Sequence, residues 1–92
     1  MGAPVLVCNV VIRNKYGLHA RPAAMFVELA NQFGSEVVVE KDGVRVNGKN
    51  ILDIMTLGVE SGTELNIRIK GHDSDDTARA LCHLIDTNFG ES

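Results

Sequence analysis

The chain has 92 residues, of which 45% are hydrophobic and 23% charged, and a formal net charge of −3 at pH 7. This length and composition predict one globular domain over residues 1–92 and exclude a disordered chain. Because nine scattered basic residues are outnumbered by twelve acidic ones, we expect no nucleic-acid partner. The apolar run that ends at Ile12 is too short to cross a membrane and has no basic leader, so we expect a cytoplasmic protein without membrane insertion.

The first third of the chain predicts a strand, a turn and an amphipathic helix. Val5 to Ile12 alternates as a strand does, and Asn14 to Gly17 is typical of a turn. The helix that follows ends at Gly34, and its apolar residues recur at spacings of three and four. These residues are Ala23, Phe26, Val27, Ala30 and Phe33.

The middle of the chain predicts a hairpin, a short helix and a further strand. Glu36 to Glu40 and Val44 to Asn47 are rich in valine and flank Asp42-Gly43, a strong hairpin signal. A short helix is predicted at about Ile51 to Leu57. The strand at Glu64 to Lys70 alternates cleanly between apolar and polar residues, so one face of the sheet is apolar.

A last helix is predicted after Gly71. The acidic cluster Asp73-Ser74-Asp75-Asp76 offers a cap and a favourable charge for its start, and Gly90 closes it. The resulting order, β-α-β-β-α-β-α, predicts an α+β fold: a two-layer open-faced sandwich in which three helices cover one face of a four-stranded antiparallel sheet. The apolar stripe of the last helix consists of Ala78, Leu81, Cys82, Ile85 and Phe89.

The segment Gly17 to Ala24 places a histidine and an arginine at the junction between the first predicted strand and the first predicted helix. His19 lies at or just before the first helical residue, where free backbone N–H groups favour an anion and disfavour a second positive charge. Pro22 suits the first helical turn, and the guanidinium of Arg21 suits phosphate oxygens. The pattern therefore predicts a place that can hold a phosphoryl group beside His19.

The string Gly-Leu-His-Ala-Arg-Pro-Ala-Ala at 17–24, together with the segment Gly48 to Gly58, resembles HPr, the histidine phosphocarrier of the bacterial phosphotransferase system. The resemblance covers nearly the whole chain. It implies that Nδ1 of His19 accepts a phosphoryl group from enzyme I, charged by phosphoenolpyruvate, and passes it to an enzyme IIA domain, with Arg21 compensating the charge. It also implies the strand order first, fourth, second, third.

The short middle helix carries more apolar residues than one buried stripe can use. Ile54 and Leu57 suit the core, whereas Ile51, Leu52 and Met55 fall largely on another face. Periodicity alone leaves open whether these three are core residues or a docking surface. The resemblance favours docking of enzyme I and enzyme IIA on this surface, which would also include Ala20 and Ala24.

The remaining histidines and the cysteines predict no second chemistry. His72 and His83 show no metal-ligand spacing with His19, so we expect surface histidines, no metal and no cofactor. Cys8 and Cys82 are far apart in the sequence and are expected to be reduced, partly buried thiols.

Two functions from different classes remain after the sequence is considered. The first is the stoichiometric phosphocarrier, expected to be a monomer because one face serves two partners in turn. The alternative is a regulatory docking module of the nitrogen-related phosphotransferase branch that acts by protein binding. Asn50 stands where many HPr proteins carry a regulatory serine at the start of the middle helix, and it offers a cap without a hydroxyl. The retained His19 and the missing serine favour the carrier.

Overall fold

The computed structural model describes residues 4–91. Within this range the strands form one antiparallel sheet in the order β1-β4-β2-β3. The predicted α+β open-faced sandwich is confirmed, together with its strand order. The elements are β1 (Leu6–Val11), α1 (Ala20–Ala30), β2 (Glu36–Lys41), β3 (Val44–Asn47), α2 (Ile51–Thr56), β4 (Glu64–Lys70), α3 (Ser74–Asp86) and a one-turn 3-10 helix (Asn88–Gly90).

The hydrophobic core lies between the sheet and the helices. Alternate residues of the central strand β4 are buried in it, and Ile67 lies opposite Cys8 on β1 and Val39 on β2. Phe26 of α1 and Leu81 of α3 are buried in the same core. Burial of one such side chain contributes about 1.5–3 kcal/mol. The alternating pattern therefore also determines the strand register, since a slip by one residue would expose the whole apolar face.

Two of the predicted helices end earlier than their apolar patterns indicated. Helix α1 ends at Ala30, so Phe33 lies in the turn that follows it. Helix α3 ends at Asp86, and Phe89 lies in the separate 3-10 turn with a φ of 56°. Phe89 is nevertheless fully buried. The positive φ costs about 1–3 kcal/mol, which burial of an aromatic ring offsets.

The acidic cluster at the start of α3 fits the prediction only in part: Asp75 and Asp76 place favourable charge in the first turn, but the side chain of Asp73 has a different role. Asp73 is the N-cap residue, but its side chain makes no capping hydrogen bond within α3. Its carboxylate instead accepts hydrogen bonds from the backbone N–H groups of Gly34 (2.8 Å) and Ser35 (2.9 Å) and from the Ser35 hydroxyl. Asn50 does cap α2, because its Oδ1 accepts a hydrogen bond from the backbone N–H of Asp53 at 3.1 Å.

Candidate functional site

A tight turn precedes His19 and places it at the start of α1. Gly17 has a φ of 64°, and its N–H donates to the carbonyl of Asn14 at 3.1 Å. The N–H of Leu18 donates to the carbonyl of Val59 at 2.9 Å. A Cβ on Gly17 would lie 2.8 Å from the Cα of Glu60, so the position needs glycine for space as well as for conformation. The backbone before His19 is therefore fixed both by its own turn and by the segment at Val59.

His19 is the N-cap residue of α1, as the sequence predicted. Its carbonyl accepts the first helical hydrogen bond, from the N–H of Ala23 at 3.0 Å, while its side chain makes no capping bond. The ring is 39% exposed. The first turn of α1 contains no acidic residue, so the positive end of the helix is not compensated from within the helix. An anion bound at the His19 ring would be stabilised there.

The site contains a carboxylate that the sequence patterns did not predict. Oε2 of Glu91 lies 3.0 Å from Nε2 of His19 and 3.5 Å from Nη1 of Arg21. Its Oε1 accepts a hydrogen bond from Nδ2 of Asn14 at 3.0 Å. These contacts join residues 70 to 77 positions apart in the sequence, which no local pattern reports.

The electrostatics of Glu91 follow from these partners. The hydrogen bond from Asn14 is the main cause that holds the pKa of Glu91 below its ordinary value, and the hydrogen bond and charge of His19 and the charge of Arg21 act in the same direction. Glu91 is therefore ionised at neutral pH. Any other anion that binds beside His19 would compete with Glu91 for the guanidinium of Arg21.

Tyr16 is a second neighbour of the histidine that the sequence patterns did not predict. Its ring meets the His19 ring edge to face, with 6.2 Å between the ring centroids and an interplanar angle of 88°. Nζ of Lys15 lies 5.2 Å from the centroid of Tyr16. The turn before His19 therefore supplies an aromatic wall as well as the backbone geometry.

The residues predicted for docking are exposed, except Ala24. Leu52 is 72% exposed and Met55 44%, with Ile51 also at the surface, whereas Ile54 is buried. The structure therefore decides the alternative that periodicity left open: Ile51, Leu52 and Met55 lie at the surface and not in the core. On α1, Ala20 is exposed and Ala24 half-buried. Helix α2 packs against α1, and its start is joined to the end of α1 by the hydrogen bond from Nδ2 of Asn31 to the carbonyl of Lys49 at 3.1 Å.

The other histidines and the cysteines take no part in the described contacts of His19. His72 and His83 are exposed, and residues 4–91 hold no group of three or more His, Cys, Asp or Glu side chains able to bind a metal ion. Cys8 and Cys82 are free, half-buried thiols that the fold brings together. Burial, and then the neighbouring Cys8 thiol, raise the pKa of Cys82 to about 11, so this thiol stays protonated at neutral pH.

A partly exposed histidine at a helix N-terminus, beside an arginine, is suited to hold an anionic group such as a phosphoryl group. The family model described as the phosphorylation site of the phosphotransferase-system HPr component matches residues 7–87. The chain therefore belongs to the HPr family of phosphocarrier proteins. Glu91 lies beyond the matched residues. Within residues 4–91, no helix has the length and apolar character needed to cross a membrane.

Relatives with known names agree with this assignment. The phosphocarrier protein HPr of Neisseria meningitidis is 45% identical over 83 residues, which cover 90% of this chain and 93% of the relative. The HPr-like protein Crh of Bacillus subtilis is 47% identical over 77 residues, covering 84% and 91%. The crystal structure of HPr-C-His from Thermoanaerobacter tengcongensis superposes with a TM-score of 0.92 at 45% identity and covers 95% of this chain and 98% of that one.

Proposed function

We propose that this protein accepts a phosphoryl group from enzyme I on Nδ1 of His19 and passes it to an enzyme IIA domain. The observation that carries the proposal is the exposed His19 ring at the N-terminus of α1, with Arg21 two residues further on. Among the described residues the ring makes one side-chain hydrogen bond, at Nε2, and Nδ1 makes none. A donor that approaches Nδ1 therefore displaces no side-chain hydrogen bond of the ring.

In the transfer this chain supplies the accepting nitrogen, its position and the compensation of charge. The lone pair of Nδ1 forms the new P–N bond while the donor's bond to phosphorus breaks in line with it. Arg21 and the free N–H groups of the first turn of α1 compensate the charge of the phosphoryl oxygens. The same arrangement serves the onward step, because the enzyme IIA acceptor must reach the phosphorus on Nδ1 from the same face of the protein.

Docking of both partners is proposed on one surface beside the site, formed by Ala20, Ala24, Ile51, Leu52 and Met55. Its exposed aliphatic side chains can lose water on contact, and the small alanines permit close approach to α1. Since this surface must be free for two partners in turn, we propose that the working form is a cytoplasmic monomer.

The test is incubation with enzyme I, magnesium and phosphoenolpyruvate, followed by intact mass spectrometry. The wild type should gain one acid-labile phosphoryl group, because the P–N bond is easily protonated, and His19→Ala should gain none. His83→Ala is the matched control, an exposed histidine on α3 that should leave labelling unchanged. Labelling of His19→Ala at the wild-type level would refute the assignment.

The same reaction separates the carrier from a regulatory docking module. A docking module would bind its partner through the surface around Met55 but take up no phosphate. The carrier should take up phosphate, and Met55→Glu should lower uptake at limiting enzyme I, because an unpaired carboxylate would be desolvated in an apolar contact. At high enzyme I concentration uptake by Met55→Glu should recover, since His19 is intact. Partner binding without uptake by the wild type would favour the docking module.

A further inference from the structure

From the contacts of Glu91 we infer that its carboxylate is a positioning group for phosphoryl transfer: it holds the His19 ring through Nε2–H and thereby presents Nδ1 as the accepting nitrogen. The inference rests on the proposed function and adds a residue to it. Glu91 lies after α3, outside the residues 7–87 that the HPr family model matches.

The hydrogen bond determines which ring nitrogen carries the proton. A carboxylate only accepts hydrogen bonds, so the 3.0 Å contact between Oε2 of Glu91 and Nε2 of His19 requires a proton on Nε2. In a neutral imidazole the lone pair then lies on Nδ1. During transfer this lone pair forms the bond to phosphorus as the donor's bond breaks, and the Nε2 proton stays on the ring in its hydrogen bond with Glu91.

Glu91 is itself held by a buried side chain. Nδ2 of Asn14, which is 2% exposed, donates to the carbonyl of Gly17 at 2.7 Å and to Oε1 of Glu91 at 3.0 Å. The same amide group therefore fixes the turn that precedes His19 and the carboxylate that faces it. This arrangement keeps the ring and the carboxylate in register with each other, as a positioning function requires.

The backbone between α3 and Glu91 is strained in a way that brings the carboxylate to the site. Asn88, Phe89 and Gly90 have φ values of 55°, 56° and 72°, and the N–H of Glu91 donates to the carbonyl of Asn88 at 2.8 Å. Residues other than glycine rarely have a positive φ at consecutive positions, as Asn88 and Phe89 do here. The buried Phe89 ring anchors this backbone conformation. Strain of this kind persists where the surrounding structure requires it, and here it ends at the His19 site.

The weaker contact of Glu91 is the one that must give way on phosphorylation. Its Oε2 lies 3.5 Å from Nη1 of Arg21, longer than its contact with His19. A phosphoryl group on Nδ1 would compete for the guanidinium through shorter, charge-assisted hydrogen bonds. Arg21 can therefore turn to the phosphoryl oxygens while the Nε2–H hydrogen bond to Glu91 remains.

The experiment compares Glu91→Ala, Glu91→Gln and the control Glu36→Gln. The control removes the same charge from an exposed residue at the start of β2. This residue lies at the same end of the sheet as the start of β1, whereas His19 follows the end of β1, at the opposite end of the sheet. With phosphorylated enzyme I as the donor, Glu91→Ala should lower kcat of phosphoryl uptake about tenfold, the loss of one hydrogen bond to a charged group, with KM for enzyme I unchanged. Glu91→Gln keeps an accepting oxygen and should restore most of the lost rate.

Nuclear magnetic resonance of ¹⁵N-histidine-labelled protein supplies a readout that does not depend on transfer. In the wild type the Nε2 proton should exchange slowly with water and Nδ1 should give the signal of a nitrogen with a lone pair. In Glu91→Ala the Nε2 proton should exchange faster, and in Glu91→Gln it should again be protected. Glu36→Gln should match the wild type in both measurements.

Failure of the inference can be told from failure of the proposed function. If Glu91→Ala takes up phosphate at the wild-type rate, or its Nε2 proton exchanges as in the wild type, Glu91 is not a positioning residue although the carrier function stands. If the wild type takes up no phosphate, the proposed function is wrong, and the positioning role is overturned with it, whatever the exchange of the Nε2 proton.

Discussion

The two ends of α3 carry carboxylates that are bound in opposite ways. At its start, Asp73 accepts hydrogen bonds from the backbone N–H groups of Gly34 and Ser35 and from the Ser35 hydroxyl. Beyond its end, Glu91 accepts hydrogen bonds from three side chains, those of Asn14, His19 and Arg21. Asp73 thus links the start of α3 to the residues that follow α1. Glu91 links the end of α3 to the residues around the start of α1.

The donors explain why one carboxylate serves the fold and the other the site. Backbone N–H groups cannot rotate away, and the Ser35 hydroxyl and then the Gly34 N–H lower the pKa of Asp73 to about 2. Side chains such as Arg21 can turn to another anion at little cost, because exposed ion pairs contribute only about 0–1 kcal/mol. The hydrogen bonds of Asp73 are therefore a permanent part of the structure, whereas the contact between Glu91 and Arg21 can be exchanged for a contact between Arg21 and another anion.

Ser35→Ala tests the structural end and should have the largest effect on folding. Ser35 is fully buried, and loss of its hydrogen bond to the charged Asp73 should lower the free energy of unfolding by about 2 kcal/mol. Urea unfolding followed by circular dichroism measures this, with the exposed Ser61→Ala as the control. Phosphoryl uptake should be normal below the unfolding transition. Wild-type stability would show that Asp73 does not hold this end of α3.

Acid titration of stability tests the same carboxylate without removing its partners. The pKa of Asp73 is about 2 in the folded protein and 3.8 in the unfolded reference, so its contribution is fully present above about pH 4 and is lost as the pH falls towards 2. Unfolding free energies measured across this range should decrease with falling pH. In Asp73→Asn this part of the decrease should disappear, while Asp75→Asn, on the exposed first turn of α3, should retain it. Identical pH profiles for Asp73→Asn and the wild type would contradict the prediction.

Arg21→Ala tests the exchangeable end and should have the smallest effect on folding. The side chain is 63% exposed and makes one 3.5 Å ion pair, so the free energy of unfolding should change by no more than about 0.5 kcal/mol. Transfer to and from both partners should slow, because charge compensation of the phosphoryl group is lost. Rapid-quench measurement of both half-reactions checks this, with the exposed Arg79→Ala on α3 as the control. Unchanged rates for Arg21→Ala would remove Arg21 from the site.

Local patterns in the sequence predicted what depends on near neighbours along the chain. Alternation predicted the apolar face of β4, Asp42-Gly43 predicted the hairpin between β2 and β3, and Asn50 was correctly expected to cap α2. The position of His19 at the start of α1 was also predicted, because strand, turn and helix signals follow one another there. Each of these features depends on hydrogen bonds or side-chain directions within a few residues.

Contacts between distant segments could not be predicted in this way. Asp73 was expected to cap its own helix but binds the backbone 38 and 39 positions away, and Phe89 was assigned to α3 but lies in a strained turn. Cys8 and Cys82 meet only because α3 packs against β1. In each case the free energy gained between segments outweighs the local preference, and a single sequence does not show which segments will meet.

The amino-acid sequence by itself therefore determined the order of elements, the apolar face of the sheet and the exposed histidine with its arginine. It did so because these depend on spacings of two to four residues and on the chemistry of single side chains. Only the tertiary structure decided that Glu91 lies against Nε2 of His19, because that contact spans 72 positions. It depends on the packing of α3 and on the turn at Phe89, where burial of the ring outweighs the preference of the backbone.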